Sequence, residues 1–241
     1  MVCELSIIVP TFNEAGNVEA LLARLDAALS GESWEVVFVD DNSPDGTADL
    51  VARLGRHRSN VRCLKRIGRR GLTSACVEGF AATHSPFIAV MDADLQHDEK
   101  LLPRMLAAIR APEIDLVVAS RYMPGGSPGD FTLLREMISR GGSWVARWLL
   151  GVSLSDPLSG FFMFRRDLLA RSTIAQVSGR GFKLLLDLLG SIRGPVVSRE
   201  FPYRFQQRGA GRSKFNLRIG WDFVLLLFRQ KWSVSDRRAD R

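Results

Sequence analysis

The chain has 241 residues, 46% of them hydrophobic, with 33 Lys and Arg against 26 Asp and Glu, enough to bury a substantial core and in keeping with one α/β unit. Its three cysteines, Cys3, Cys63 and Cys76, are odd in number and lack paired spacing, which argues against a disulfide framework or a zinc motif and for a reducing, cytoplasmic compartment. Charge is uneven: residues 1–120 carry 12 basic against 17 acidic side chains, net −5, and residues 121–241 carry 21 against 9, net +12, so the second half is expected to meet nucleic acid, a phosphorylated substrate or an anionic membrane face, unless it is simply a solvated surface.

In chain order, Leu5–Val9 reads as the first strand, and Val18, Leu21, Leu22, Leu25 and Leu29 then recur at helical spacing. Apolar runs at Trp34–Val39, Val61–Leu64, Phe87–Met91 and Leu116–Ala119 alternate with helical patterns around Leu50, Val51 and Leu54, over Gly71–Ala82 and over Lys100–Ile109. Such alternation marks βαβ units on a parallel sheet, whose ligand crevice lies at the carboxyl ends of the strands. Polar residues stand at those ends: Asn13-Glu14, Asp40-Asp41, and Asp92 with Asp94. Pro124–Gly129 is a loop by composition. Phe131–Leu150 is expected to be helical, and its mixture of Arg135, Arg140 and Arg147 with Trp144 and Trp148 suits either a membrane interface or a helix packed on the sheet edge. Val196–Phe201 reads as a further strand and Arg204–Lys214 as a basic loop. Trp221–Phe228, followed by Arg229 and Lys231-Trp232, could lie on a membrane but is far short of the roughly 20 apolar residues that span one. No secretory signal is expected, because the first apolar run has no basic n-region before it and no cleavage site after it.

The run Phe87–Met91 ends in two carboxylates separated by one residue. Residues i and i+2 of an extended segment share a side, so Asp92 and Asp94 could meet one cation, and hard oxygen ligands suit Mg²⁺ or Mn²⁺ shared with substrate phosphates. A solvated turn with an N-cap fits the same residues. Pro10, the Phe12 ring and Glu14 follow the first strand, where a nucleotide base could be clamped, although Pro10 and Asn13 are also ordinary turn formers. Asp45 or Thr47 is expected to cap the next helix. The adjacent Asp40 and Asp41 require a cation or hydrogen-bond donors nearby. His97 is expected to face solvent at a helix start, and His57 and His84 are given no role.

Taken together, Pro10–Glu14, Val39–Thr47, Gly71-Leu72, Asp92–His97, Ala119–Tyr122, Asp156–Phe161, Gly181–Lys183 and Arg208–Lys214 resemble the family 2 inverting glycosyltransferases, most nearly the polyprenol-phosphate (dolichol-phosphate) mannosyltransferase branch. The resemblance implies an α/β fold of the GT-A type: a Rossmann-like, mostly parallel sheet with flanking helices and a membrane-facing amphipathic helical segment at the C-terminus. It divides the chain into a glycosyltransferase domain at 1–215, with a nucleotide-sugar half at 1–120 and an acceptor half at 121–215, and an amphipathic segment at 216–241.

Carried onto this chain, the family pattern implies that Pro10, Phe12, Glu14, Val39 and Asp41 hold the nucleoside, that Asp92 and Ala93 lie against the donor, and that Asp94 and Gln96 ligate the metal. Arg121, Lys183, Arg208 and Lys214 match positions facing donor or acceptor phosphates, and Asp92, Asp94, Arg121 and Arg208 are the expected catalytic set. Phe12 departs from the more usual Tyr, keeping a ring for stacking without the hydroxyl. The implied reaction is transfer of mannose from GDP-mannose to polyprenyl or dolichyl phosphate, peripheral on the cytosolic face of a membrane, with a membrane-anchoring partner subunit as a further expectation. A phosphate monoester is already substantially anionic at pH 7, its second pKa being about 6, so the carboxylates read as binding groups rather than a general base. Glucosyl transfer from UDP-glucose, polysaccharide synthesis and a non-catalytic relative are the alternatives. The alternative of another class is a basic nucleic-acid-binding module; against it, and for no nucleic-acid partner, the positive charge is concentrated in one half beside an acidic rim, and no helix-turn-helix, RNA-recognition or zinc-finger signature appears.

Overall fold

The computed structural model describes residues 3–129, 141, 143, 147, 153–174 and 184–206. Strands β1 (Leu5–Thr11), β2 (Trp34–Asp40) and β3 (Val61–Lys65) alternate with helices α1 (Ala15–Ala28), α2 (Thr47–Gly55) and α3 (Leu72–Ala81). Strand β4 (Phe87–Val90) is followed by a short 3₁₀ turn, helix α4 (Leu102–Ile109) and β5 (Leu116–Ser120). Farther along come β6 (Phe162–Arg165), α5 (Asp167–Ala170), α6 (Leu184–Ser191) and β7 (Ser198–Pro202).

The seven strands form one sheet in the order β3-β2-β1-β4-β6-β5-β7. Every pairing is parallel except those of β6, which runs antiparallel to both β4 and β5. The chain winds outward from β1 to β3 and then returns to place β4 on the other side of β1, which opens a ligand crevice beyond the carboxyl ends of β1 and β4. Sequence periodicity located every strand but β6. Phe161–Phe164 is a continuous run of large apolar residues, which a short strand and a buried helix segment share.

Alternation along the strands explains why their sequences are apolar throughout. Leu5, Ile7 and Val9 join Leu21 and Leu25 of α1 and Met105 and Leu106 of α4 in one core, whereas Ile8, Val37 and Val39 join Cys76 and Phe80 of α3 and Leu185 and Leu188 of α6 in the other. Helix α3 lies so close to the sheet that a Cβ on Gly79 would come 2.5 Å from the Ile8 Cγ2. At the amino ends of the strands, the buried Glu35 carboxylate takes hydrogen bonds from Thr83 (2.6 Å), Ser6 (2.7 Å) and Arg62 (2.8 Å). Cys3, Cys63 and Cys76 are free thiols. No helix among the described residues is long and apolar enough to cross a membrane. Of the expected helix at 131–150, only Gly141, Ser143 and Arg147 are described, and all three are helical. The segment 216–241 lies outside the described residues.

Candidate active site

The loops leaving β1 and β2 are built together. Asn13 and Asn42 both take left-handed backbone conformations, with φ of 58° and 57°, a region that Asn tolerates better than most residues. The Asn13 N–H donates to Ser43 Oγ (2.9 Å) and the Glu14 N–H to Thr47 Oγ1 (3.0 Å), locking one loop to the other. Asp45 caps two helices at once, accepting from the Ala15 N–H (3.0 Å) at the start of α1 and from the Thr47 N–H (3.0 Å) at the start of α2. Burial alone would push this carboxyl up, but the donors from Thr47 and Ala15 prevail and hold it below its usual value. The capping role expected at Asp45 or Thr47 is therefore taken by Asp45, with Thr47 among its donors.

Asp40 and Asp41 part company. Asp40 is fully buried and serves the turn, accepting from the Ser43 N–H (2.9 Å) and from Thr11 Oγ1 (3.2 Å). Asp41 meets a cation that sequence reasoning missed, Arg66. The Arg66 side chain is only 1% exposed, and it pairs with Asp41, donates through Nε to Glu78 (3.1 Å), and donates to Ser74 Oγ (2.6 Å) and the Gly71 carbonyl (3.2 Å). The second Asp41 oxygen accepts the Gly71 N–H at 2.8 Å. Gly71 adopts φ 140° and ψ 136°, which only glycine adopts readily, and α3 starts at the next residue. Arg66 follows β3 in the run Lys65-Arg66-Ile67-Gly68-Arg69-Arg70, so nothing in its local pattern distinguishes it from a surface arginine.

Strand β4 stops at Val90, so Asp92 and Asp94 lie just beyond it in a turn rather than on the expected extended segment. Leu95 has φ 63°, costly for a residue with a γ-branched side chain, by about 1–2 kcal/mol. Its side chain is buried in the core shared with α1 and α4. Asp94 is buried and accepts the Gln96 N–H (3.2 Å), whereas the Asp92 side chain is 44% exposed. The Gln96 amide donates through Nε2 to the Gln206 carbonyl (3.0 Å), and the Gln206 N–H returns a bond to the Gln96 carbonyl (2.9 Å). Donation by Nε2 fixes the amide so that its oxygen, the end a hard cation takes, points away from Gln206. Among the described residues no three His, Cys, Asp or Glu side chains cluster as a metal cage. By chemical type, carboxylate and amide oxygens suit a hard divalent ion that draws the rest of its shell from water and phosphate.

His97 does not face solvent as expected. It is 2% exposed, stacked on Phe161 with ring centroids 5.1 Å apart, and edge-on to Tyr203 and Phe205. Its Nδ1 accepts the Asp92 N–H (3.1 Å), and burial pulls its pKa down to about 4, so the ring is neutral with its proton on Nε2. An imidazole between Gln96 and Asp98 in sequence looks hydrophilic; the aromatic nest that buries it is assembled from residues more than 60 positions away.

Strand β6 sets the far side of the crevice. Because it runs antiparallel, its first residue, Phe162, is at the same rim, opposite Val90 and Val118. The preceding loop therefore lies between Asp92 and Arg121. A Cβ on Gly160 would sit 3.4 Å from an Asp92 oxygen. Arg121, just after β5, forms a bidentate pair with fully buried Asp156 (Nε 2.7 Å, Nη2 2.9 Å), which also accepts the Arg121 N–H (3.2 Å). Although burial works against the charged guanidinium, Asp156 raises its pKa further, and the cation is permanent. Asp156 is thus the anchor of Arg121 as well as part of a turn, its carbonyl accepting the Ser159 N–H.

Pro10, Phe12, Glu14, Val39 and Asp41 are gathered on adjacent strand ends with Asp92, Ala93, Asp94 and Gln96. Val39 and Ala93 are buried, and one Glu14 oxygen accepts from Asn17 (2.8 Å). Arg121 is two strands away from β4, about 10 Å at the usual interstrand spacing. Lys183, Arg208 and Lys214 lie outside the described residues.

A wound, mostly parallel sheet with polar loops on its carboxyl rim and two carboxylates just beyond its middle strand is the arrangement of the GT-A fold. Residues 6–172 match Glycosyl transferase family 2, and the chain belongs to that family and is a glycosyltransferase. Dolichol-phosphate mannosyltransferase of Saccharomyces cerevisiae is 35% identical over 227 residues, covering 91% of this chain and 84% of the yeast protein. Undecaprenyl-phosphate mannosyltransferase of Micrococcus luteus is 33% identical over 236 residues, covering 95% and 94%. Dolichol-phosphate mannosyltransferase of Pyrococcus furiosus is 34% identical over 233 residues, but this chain spans only 64% of its length. Among solved structures, glucosyl-3-phosphoglycerate synthase from Mycobacterium tuberculosis with Mn²⁺, UDP and phosphoglyceric acid shares the fold with a TM-score of 0.70 at 17% identity, over 95% of this chain and 78% of that one.

Proposed function

We propose that this chain transfers a mannosyl group from GDP-mannose to the phosphate of a polyprenol of the dolichol or undecaprenol kind, with inversion at the sugar carbon. The observation that carries the reading is the single crevice in which the Phe12, Glu14 and Asp41 loops adjoin the Asp92–Gln96 turn, with the anchored cation of Arg121 across from them. Support comes from the family and from relatives whose names specify mannosyl transfer to dolichol phosphate and undecaprenyl phosphate.

In this reading Phe12 offers its ring to the base and Asp41, held in place by Arg66 and Gly71, accepts from the nucleoside. Asp94 and Gln96 would hold Mg²⁺ or Mn²⁺, as the Mn²⁺ and UDP of the fold neighbour suggest. When bound, the ion offsets charge on the departing diphosphate. Arg121, Lys183, Arg208 and Lys214 draw in the acceptor phosphate, whose own oxygen attacks. No protein carboxylate needs to take a proton. Asp156 keeps Arg121 aimed and offsets part of its charge, so Arg121 contributes directed N–H donors while most of the long-range attraction for phosphate comes from the other cations. The net charge of +12 over residues 121–241 favours an anionic membrane surface, and the protein acts there peripherally, on the cytosolic side.

The test is incubation of the purified chain with radiolabelled GDP-mannose, Mg²⁺ and a short polyprenyl phosphate, followed by organic extraction. Label is expected in the organic phase and lost with Asp94→Ala. Organic-phase label from UDP-glucose but none from GDP-mannose would overturn the donor assignment, and none from either would overturn the reaction.

A further inference from the structure

The Phe12 ring carries the guanidinium of Arg70, its central carbon 4.5 Å from the ring centroid. Three arginines lie in the segment that joins β3 to α3, and their partners differ. Arg66 is buried against Asp41 and Glu78, and Arg69 pairs with Glu78 at 2.9 Å. Among the described residues no carboxylate is within ion-pair distance of Arg70, which is exposed and stays on an aromatic face instead. Its backbone is nonetheless fixed, because the next residue, Gly71, donates to Asp41. Arg70 is therefore a charged plane on a long, movable stem, mounted on the same latch that positions Asp41.

At 4.5 Å the guanidinium and the ring are in direct contact, and a base stacked on that face needs roughly another 3.5 Å. We propose that Arg70 is a donor-binding residue: it lifts by one ring thickness when nucleotide arrives and stacks on the outer face of the base, so that Phe12 and Arg70 clamp it between them. The proposal rests on the crevice being the donor site, as above. A planar cation against a π-face is favourable for any base and is worth more once water is excluded. Arginine suits this role better than lysine, whose ammonium has no plane to stack.

The experiment titrates GMP, GDP and UDP into the wild type, Arg70→Leu and Arg70→Lys by calorimetry, and measures GDP-mannose kinetics on the same proteins. Stacking on a base is sequence-tolerant and worth on the order of a 5- to 100-fold change in affinity. Arg70→Leu is expected to weaken all three nucleotides by a similar factor of about 10, with Arg70→Lys between it and wild type. The contact is made alike in ground and transition states, so the loss should fall on the donor KM and not on kcat. Nucleotide affinities in Arg70→Leu within twofold of wild type would overturn the proposal. So would a loss seen with GDP but not GMP, which would place the guanidinium on the diphosphate. If the wild type binds nucleotides but transfers no sugar, the proposed function fails, and the clamp is judged on the binding data alone. Wild type that binds none of the nucleotides overturns both.

Discussion

Asp156→Ala removes the bidentate carboxylate partner of a buried cation. The Asp156 side chain is 0% exposed and that of Arg121 10%, and three hydrogen bonds join them, from the Arg121 N–H, Nε and Nη2. Truncation removes all three of these bonds from a buried guanidinium and its backbone N–H. Breaking a buried pair in this way costs about 3–5 kcal/mol, whereas replacing both partners by apolar residues of similar size is often close to neutral. For a chain of this size, about 2–4 °C of melting temperature goes with each kcal/mol, so Asp156→Ala should lower the midpoint by roughly 6–20 °C. Asp156→Asn keeps the shape and some acceptor capacity but loses the charge, and should fall between. The measurement is guanidinium chloride unfolding of Asp156→Ala, Arg121→Met and the double variant Arg121→Met/Asp156→Leu, at constant m-value. The double variant should recover most of what Asp156→Ala loses. A cost below about 1 kcal/mol for Asp156→Ala would mean that the pair behaves like an exposed one, and the burial argument would fail.

Two further outcomes follow from buried groups near the crevice. Arg66→Met should cost roughly 2–4 kcal/mol in chemical unfolding, since it takes the cation from Asp41 and the donor from the Gly71 carbonyl. The same variant should weaken GDP binding at least about tenfold by calorimetry if Asp41 contacts the nucleoside through this latch; unchanged GDP affinity would remove Asp41 from the donor pocket. Asp187, on α6, is 2% exposed; burial pushes its carboxyl up to about 6 despite a hydrogen bond from Thr73 of α3 (3.0 Å). A raised carboxyl pKa favours the folded state while protonated, so this contribution is full below pH 3.8 and disappears as pH rises through about 6. Relative to Asp187→Asn, wild-type stability should therefore fall by roughly 3 kcal/mol between pH 3.8 and pH 6, measured by denaturant unfolding; parallel pH curves would contradict it.

How far the sequence reached depended on whether the deciding contact was local. Strands β1 to β5 and β7 were legible because a buried parallel sheet makes each strand a short apolar run between turn residues. The Asp45 cap and the two aspartates of the β2 loop were legible because capping and repulsion act within a few positions. Arg66, Arg70 and His97 were misread or passed over for the opposite reason. Arg66 is defined by Asp41 and Glu78, Arg70 by a ring 58 residues away in the numbering, and His97 by Phe161, Tyr203 and Phe205. Strand β6 escaped because its direction is a matter of topology, which a four-residue apolar run does not encode.

The reciprocal pair between Gln96 and Gln206 has a kinetic meaning. It joins two stretches 110 positions apart, so the turn bearing Asp94 cannot move from the segment after β7 without both bonds breaking together. Amide exchange at Gln206 therefore reports on the opening of that turn, and it should rise together with exchange at Gln96, whose own N–H is held by Asp94.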